Sequence, residues 1–300
     1  MLPALDSSGL NRRIDLPRPS RPGEPFGIVA GGGVLPRLVA EGARGHGWTP
    51  VIIAVGDGWR EDWGAYRHRR MKWSQTGDVF PYLAREGVRH LVFCGTISIR
   101  PDYRSMVPSL RTLALLPEIL KIMRGGDDTM LRAVTRAFER RGFALYAVQD
   151  VVPELLAPEG LIAGRMPNPT EQLALRRAAE AAQQLGRLDI GQAAVASAER
   201  VIALEGIEGT RDMLERVAAL RERGRIGRSE RLVLVKSVKP QQDHRLDLPS
   251  IGAETIDQAC AAGLSGIGVS AGAALVIDLD MLTERVGRED MFLLGLPLEG

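Results

Sequence analysis

Apolar runs separated by glycine turns and helical stretches dominate the first half of the chain. Phe26–Ala30 predicts a short buried strand, Gly31-Gly32-Gly33 a tight turn, and Leu35–Arg44 a helix with Leu35, Leu38 and Val39 on one face. Trp48–Val55 predicts a second strand ending at Gly56-Asp57-Gly58, and His90–Gly95 a third, behind a helical stretch over 78–87. Two more helices, Leu110–Met123 with a kink at Pro117 and Asp127–Arg141, precede an expected strand at Phe143–Val148. Continuous apolar strands, each followed by a helix, are what a parallel sheet covered on both faces requires.

The second half alternates less regularly. Asn168-Pro169-Thr170-Glu171 carries a cap, a first-turn proline and a capping-box glutamate ahead of an alanine-rich helix to Leu185. Gln192–Ser197 and Arg200–Leu204 predict adjacent strands, with Thr210 as the cap of a helix through Leu220. A strand at Leu232–Val238, a helix near Ala253–Ala262, strands at Gly266–Val269 and Ala274–Ile277, and a last helix at Asp280–Val286 complete the pattern. The expectation is α/β: a flexible tail over 1–25, a Rossmann-like parallel-sheet domain over 26–158, a proline- and glycine-bearing linker over 159–169, and a mixed α/β catalytic domain over 170–300.

Composition narrows the partners. The chain has 300 residues, 45% hydrophobic, and 39 Lys plus Arg against 37 Asp plus Glu, so a formal charge of +2 gives no general case for nucleic acid. Aromatics at 5% do not interleave with basic residues as a single-strand groove would require. Cys94 and Cys260 lie far apart in apolar or small-residue contexts and read as free thiols in a reducing compartment. The first two dozen residues lack a signal-peptide apolar region and no stretch reaches bilayer length, so a cytoplasmic protein is expected.

The densest chemistry sits where the strand Leu232–Val238 carries Lys236, continues to Lys239, and runs into Asp243-His244-Arg245-Leu246-Asp247. An ammonium beside so apolar a strand is costly unless paired. Lys236, Lys239 and Arg245 are candidate phosphoryl clamps, and Asp247 a candidate Mg²⁺ ligand or water-positioning base. A structural ion network is the alternative. Of the four histidines, only His244 lies beside this group.

Other loops add candidates. The turn at Gly32 and Gly33 leading to Leu35 stands where backbone amides cradle phosphate, although Pro36 breaks the dinucleotide fingerprint and Asp57 suits a turn as well as a ribose. Asp127 and Asp128 after two glycines serve equally as helix caps or as metal and substrate contacts. Asp189 and Gln192 in Gly186–Gln192, and Glu205 and Thr210 in Glu205–Thr210, give polar density at strand edges, where open α/β sheets bind ligands. Glu205 is a further metal candidate.

Taken in order, Gly27–Pro36, Gly95–Asp102, Gly125–Asp128, Gly186–Gln192, Glu205–Thr210 and Lys239–Pro249 resemble the UDP-2,3-diacylglucosamine pyrophosphatases of lipid A synthesis, the type unrelated to calcineurin-like enzymes. The likeness spans roughly residues 26 to 297, and the chain carries one additional residue, Ile99, before Arg100. It implies Mg²⁺-dependent hydrolysis of UDP-2,3-diacylglucosamine to UMP and 2,3-diacylglucosamine 1-phosphate, with catalysis centred on Asp247. It also implies a homodimer and exchange of lipid at the inner face of the inner membrane. A hydrolase of another nucleotide sugar and a non-enzymatic nucleotide-binding module are the rival readings.

Overall fold

The computed structural model describes residues 15–98, 107–115, 127–240, 243–246 and 248–297, without the side chains of 114 and 127–131. The chain divides into two compact units. One runs through Glu154 and takes in the segment around Arg245; the other begins at Leu155 and holds the remainder.

The first unit is a parallel sheet with flanking helices. Its elements are β1 (Pro25–Ala30), α1 (Leu35–Gly45), β2 (Thr49–Ala54), β3 (Arg67–Arg70), α2 (Val79–Arg85), β4 (His90–Cys94), α3 (Leu110–Ala114), α4 (Asp127–Glu139), β5 (Ala144–Tyr146) and α5 (Val148–Val151). Strand order is β3-β2-β1-β4-β5, and every pairing is parallel. The apolar runs form strands because both faces must be covered: Ile28, Val51, Ile52, Ile53 and Leu91 are all fully buried. On one face Val51, Ile53 and Leu91 pack with Val79, Tyr82, Leu83 and Phe138. The order reverses between β1 and β4, which places a topological switch point at their carboxyl ends.

The second unit is built on a mixed six-stranded sheet. Its elements are β6 (Gly160–Gly164), α6 (Pro169–Arg187), β7 (Ala193–Ala196), β8 (Val201–Leu204), α7 (Gly209–Glu222), β9 (Val233–Lys236), β10 (Ser250–Ile251), α8 (Ala253–Ala261), β11 (Gly266–Ser270), β12 (Leu275–Val276), α9 (Leu279–Arg288) and β13 (Phe292–Leu296). The order β6-β13-β11-β9-β7-β8 has a parallel centre of β13, β11 and β9 with antiparallel neighbours, and β10 pairs with β12 separately. Strand alternation sorts the core: Val233 and Val235 face α6 with Ala174, Ala178 and Ala182, while Leu232 and Leu234 join Met213, Val217, Ile256 and Leu282. Each fully buried leucine of this kind contributes about 2 kcal/mol.

Local signals explain the α6 start. Asn168 Oδ1 accepts the Glu171 N–H and Glu171 Oε2 accepts the Asn168 N–H, both at 2.9 Å. Glu171 is buried, and Arg165 meets its two oxygens at 2.7 Å each. Despite that burial, which opposes it, the guanidinium and the Asn168 N–H hold the Glu171 carboxyl below its ordinary range.

Several elements depart from the sequence expectation. Residues 15–24 were expected in the tail, yet Leu16 is buried and Trp48 Nε1 donates to the Pro17 carbonyl at 2.9 Å. The expected linker over 159–169 contains β6, which pairs with β13. Thr210 was expected as a helix cap, but α7 begins at Gly209 with Glu208 in the capping position, and the threonine hydroxyl is used elsewhere. Residues 1–14, Ile99–Asp102, 116–123 with Pro117, and Gly125-Gly126 lie outside the described residues.

The pairing of β13 sets a sharp test. A Cβ on Gly295 would sit 1.8 Å from the Pro158 carbonyl oxygen, whereas one on Gly287 in α9 meets nothing within 4 Å. Gly295→Ala is expected to cost about 3 kcal/mol or more by urea unfolding, and Gly287→Ala to be neutral or to stabilise by up to about 1 kcal/mol.

Candidate functional site

The carboxyl end of β9 gathers most of the candidates of the second unit. Lys236, the last strand residue, pairs with Ala193 and is buried; its Nζ donates to the Ser250 carbonyl at 3.1 Å. Past the strand, the Ser237 N–H donates to the Gln192 carbonyl at 2.8 Å and the Val238 N–H to Ser270 Oγ at 3.2 Å. Lys239 Nζ then reaches Asp189 Oδ1 at 2.7 Å, with the lysine side chain 12% and the aspartate 29% exposed. The partly shielded pair links the loop after α6 to the chain beyond β9.

The loop after α6 is shaped to hold that aspartate. Asp189 has φ +54°, a left-handed conformation that a short polar side chain tolerates, and its N–H donates to the Gly186 carbonyl at 3.0 Å. Gly186 lets the helix end approach the chain, since a Cβ there would lie 3.3 Å from both Lys239 Cα and Pro240 Cδ. At Gly191 a Cβ would stand 2.4 Å from the Glu205 carbonyl oxygen.

Glu205 closes the cluster. This buried carboxylate accepts the Gln192 N–H through Oε2 at 2.8 Å and the Thr210 hydroxyl through Oε1 at 2.5 Å, tying the loop after α6 to the loop before α7. The carboxamide oxygen of Gln192 is itself buried and has no hydrogen-bond partner among the described residues. Such an atom loses about 1 to 3 kcal/mol of solvation without return.

Arg245 belongs to the first unit. Its Nε and Nη2 donate to Asp243 at 3.0 and 2.8 Å, and its Nη1 to Glu139 of α4 at 2.8 Å. The bonds to Asp243, with help from Glu139 and against burial, push the guanidinium above its ordinary value. Gln149 donates to the His244 carbonyl at 3.0 Å, so a second bond fastens the same segment. Burial lowers the His244 pKa, only partly offset by Asp243.

At the switch point of the first sheet the loops are bonded to each other. Gly31 N–H donates to the Cys94 carbonyl at 2.9 Å, Gly32 exchanges bonds with Thr96 at 2.8 and 2.9 Å, and the Gly33 N–H donates to Glu61 Oε1 at 2.9 Å. Gly32 is buried, Gly33 exposed, and Leu35 half-buried at the start of α1. Asp57 accepts the Ser98 N–H and hydroxyl at 2.5 and 2.7 Å. The backbone bond, most of all, holds the Asp57 carboxyl below its usual range, against burial and with help from the Ser98 hydroxyl and Arg60.

Two comparisons bear on this geometry. The LpxI N-terminal domain matches residues 25–155 and the LpxI C-terminal domain residues 158–294. The chain belongs to the LpxI family. It is 37% identical over 273 residues, covering 90% of this chain and 97% of the relative, to the UDP-2,3-diacylglucosamine pyrophosphatase LpxI of Caulobacter vibrioides.

Among the LpxI-family residues singled out from the sequence, Lys236, Lys239, Asp189, Gln192, Glu205 and Thr210 come together in the second unit. Gly32, Gly33, Leu35 and Arg245 are in the first. Asp247 lies outside the described residues, as do the side chains of Asp127 and Asp128. Sequence reasoning missed Glu61 on the glycine turn, and the buried hydroxyls of Ser237 and Ser270, which lie 3.4 Å apart. The two serines carried a signal, being polar residues at the ends of otherwise apolar strands.

Two measurements probe these locks. Thr210→Val, which removes one of the two donors to a buried carboxylate, is expected to cost about 1 to 2 kcal/mol in the second unit's unfolding, with Thr210→Ser close to wild type. Because folding lowers the Asp57 pKa, its contribution is complete above the unfolded carboxyl range and is lost as pH falls through the folded value. Thermal unfolding of the first unit should therefore weaken less between neutral pH and about pH 3 in Asp57→Asn than in wild type.

Proposed function

We propose that this chain hydrolyses the pyrophosphate bond of UDP-2,3-diacylglucosamine, giving UMP and 2,3-diacylglucosamine 1-phosphate. The observation that carries the reading is the near full-length likeness to a relative named for that activity. The basic and carboxylate hardware suits it. Water adds to the phosphorus nearer uridine, the bond to the bridging oxygen breaks, and the water proton passes to a base, so negative charge gathers on phosphoryl oxygens and the leaving phosphate.

In this reading Asp247 positions and deprotonates the water, while Lys236 and Lys239 neutralise phosphoryl charge. Lys239 does so only by sharing its ammonium with Asp189. Arg245, engaged along two edges by Asp243 and Glu139, acts better as an anchor of its segment than as a clamp. Gly32, Gly33, Leu35, Asp127 and Asp128 in the first unit, and Asp189, Gln192 and Thr210 in the second, are proposed substrate contacts.

Mg²⁺ is the cofactor this reading requires, and when bound it would supply charge neutralisation at the phosphoryl oxygens. The described residues do not fit it. No three His, Cys, Asp or Glu among them gather as a cradle, and both oxygens of Glu205 are already committed. The proposed metal set is therefore Asp128 and Asp247, with Glu205 moved from ligand to loop fastener.

No helix among the described residues is long and apolar enough to cross a membrane. A diacylated substrate partitions into a bilayer, so we place the protein in the cytoplasm, peripheral to the inner membrane face, as a homodimer. Exposed Val107, Leu110 and Leu113 at α3 are apolar surface suited to acyl chains.

The test is UMP release from UDP-2,3-diacylglucosamine. Asp247→Ala should lower turnover by at least about 100-fold with nucleotide-sugar binding retained, and EDTA should abolish turnover until Mg²⁺ is restored. Unchanged turnover in Asp247→Ala removes that residue's role; binding without turnover in the wild type favours a nucleotide-binding module.

A further inference from the structure

β3 is an edge strand of the first sheet, and every position in it is basic or histidine: Arg67, His68, Arg69 and Arg70, all exposed. Register with β2 puts Arg67 and Arg69 on the side of Val51 and Ile53, and His68 and Arg70 on the side of Ile52 and Ala54. Basic groups therefore project from both faces of the edge.

Neighbouring elements extend the patch. Arg69 and Arg85 flank the Tyr82 ring at 5.1 and 5.5 Å, and Arg44 lies 5.8 Å over the Tyr66 ring at the strand's entry. Lys72 follows the strand and is exposed. Glu86 pairs with Arg67 at 2.9 Å and Arg85 at 3.4 Å, whereas Arg69, Arg70 and Lys72 have no ion-pair partner among the described residues.

Charged side chains on a sheet edge protect it from pairing, and lysine is the usual choice. Here three of the four strand residues are arginines and none is acidic, in a chain whose formal net charge is only +2. Concentrated like charge repels itself and makes sense opposite an anionic surface. We propose that the β3 edge is the surface by which this protein rests on an anionic phospholipid bilayer. The inference builds on the diacylated-substrate reading, which requires the enzyme to meet a lipid surface; it adds which face does so and by what force. Each cation near such a surface raises partitioning about fivefold.

The experiment is cosedimentation of the full chain with phosphatidylcholine vesicles made with and without phosphatidylglycerol. Wild type should bind the phosphatidylglycerol vesicles, bind neutral ones weakly, and be released by salt. The combined Arg67→Gln, Arg69→Gln and Arg70→Gln variant should bind about 100-fold more weakly, with UMP release from detergent-dispersed substrate unchanged. Should that variant unfold, Arg70→Glu with Lys72→Glu, neither of which has an ion-pair partner among the described residues, carries the same expected loss. Equal vesicle binding by variant and wild type overturns the inference and leaves the charges to edge protection. Displacement from vesicles by a tighter-binding single-stranded RNA also overturns it, in favour of a nucleic-acid partner. Vesicle binding is read without turnover, so an inactive protein that still binds would count against the activity and not against the surface.

Discussion

An ammonium with little access to water must have an oxygen within reach, and that requirement organises the exit of β9. Lys239 finds Asp189 at 2.7 Å, and the aspartate is available only because the chain turns left-handed there and glycine lets the end of α6 press against the lysine backbone. Losing one partner of such a half-buried pair costs about 1 to 3 kcal/mol, whereas exposed pairs such as Arg211–Glu254 or Arg288–Glu284 contribute less than about 1 kcal/mol. The half-buried pair thus helps fix where α6 ends relative to the sheet. The surface pairs do not.

Glu205 extends the same logic from a pair to a junction. One carboxylate satisfies a backbone N–H from the loop after α6 and a hydroxyl at the start of α7, so two connections that share no sequence are held at one spot. A metal there would have to replace at least one of these bonds, leaving a buried donor unpaired at a cost of about 1 to 3 kcal/mol. That balance is why the residue type, acidic at a strand edge, suggests a ligand while its surroundings make it a fastener.

What the sequence made legible follows from how each element is stabilised. β1, β2 and β4 are apolar because they are covered on both faces, and the Asn168–Glu171 box is a contact three residues apart, so each is visible in local pattern. β3 has no apolar residue and is a strand only because β2 offers its open edge, a long-range cause with no local trace. β6 looks like a linker for the same reason: of its two glycines, Gly160 has a positive φ of +89° and Gly164 lies against backbone, where a Cβ would fall 2.2 Å from the Met291 carbonyl oxygen. Thr210 fits a cap by type and spacing, yet a buried carboxylate five residues earlier competes for its hydroxyl and wins. Among candidate site residues, the loops of the second unit could be grouped by polar density, but Glu61 was hidden because its partner is a backbone amide brought near only by the fold, and Asp57 was visible as a residue without its partner Ser98, which lies 41 positions away.

The two strand-exit loops differ in what a ligand would have to displace. At the first sheet's switch point the N–H groups of Gly31, Gly32 and Gly33 are taken by Cys94, Thr96 and Glu61, so a phosphate at the turn must expel a carboxylate before it gains a bond. In the second unit the Gln192 carboxamide oxygen is already stripped of water and has no described partner, so a donor reaching it breaks nothing. Desolvation has been incurred in advance at one place and not at the other, which is the usual condition for binding energy to be expressed as specificity. On that physical ground, a hydrogen-bond donor gains more at Gln192 than at the glycine turn of the first unit, where the missing side chains chiefly permit close packing.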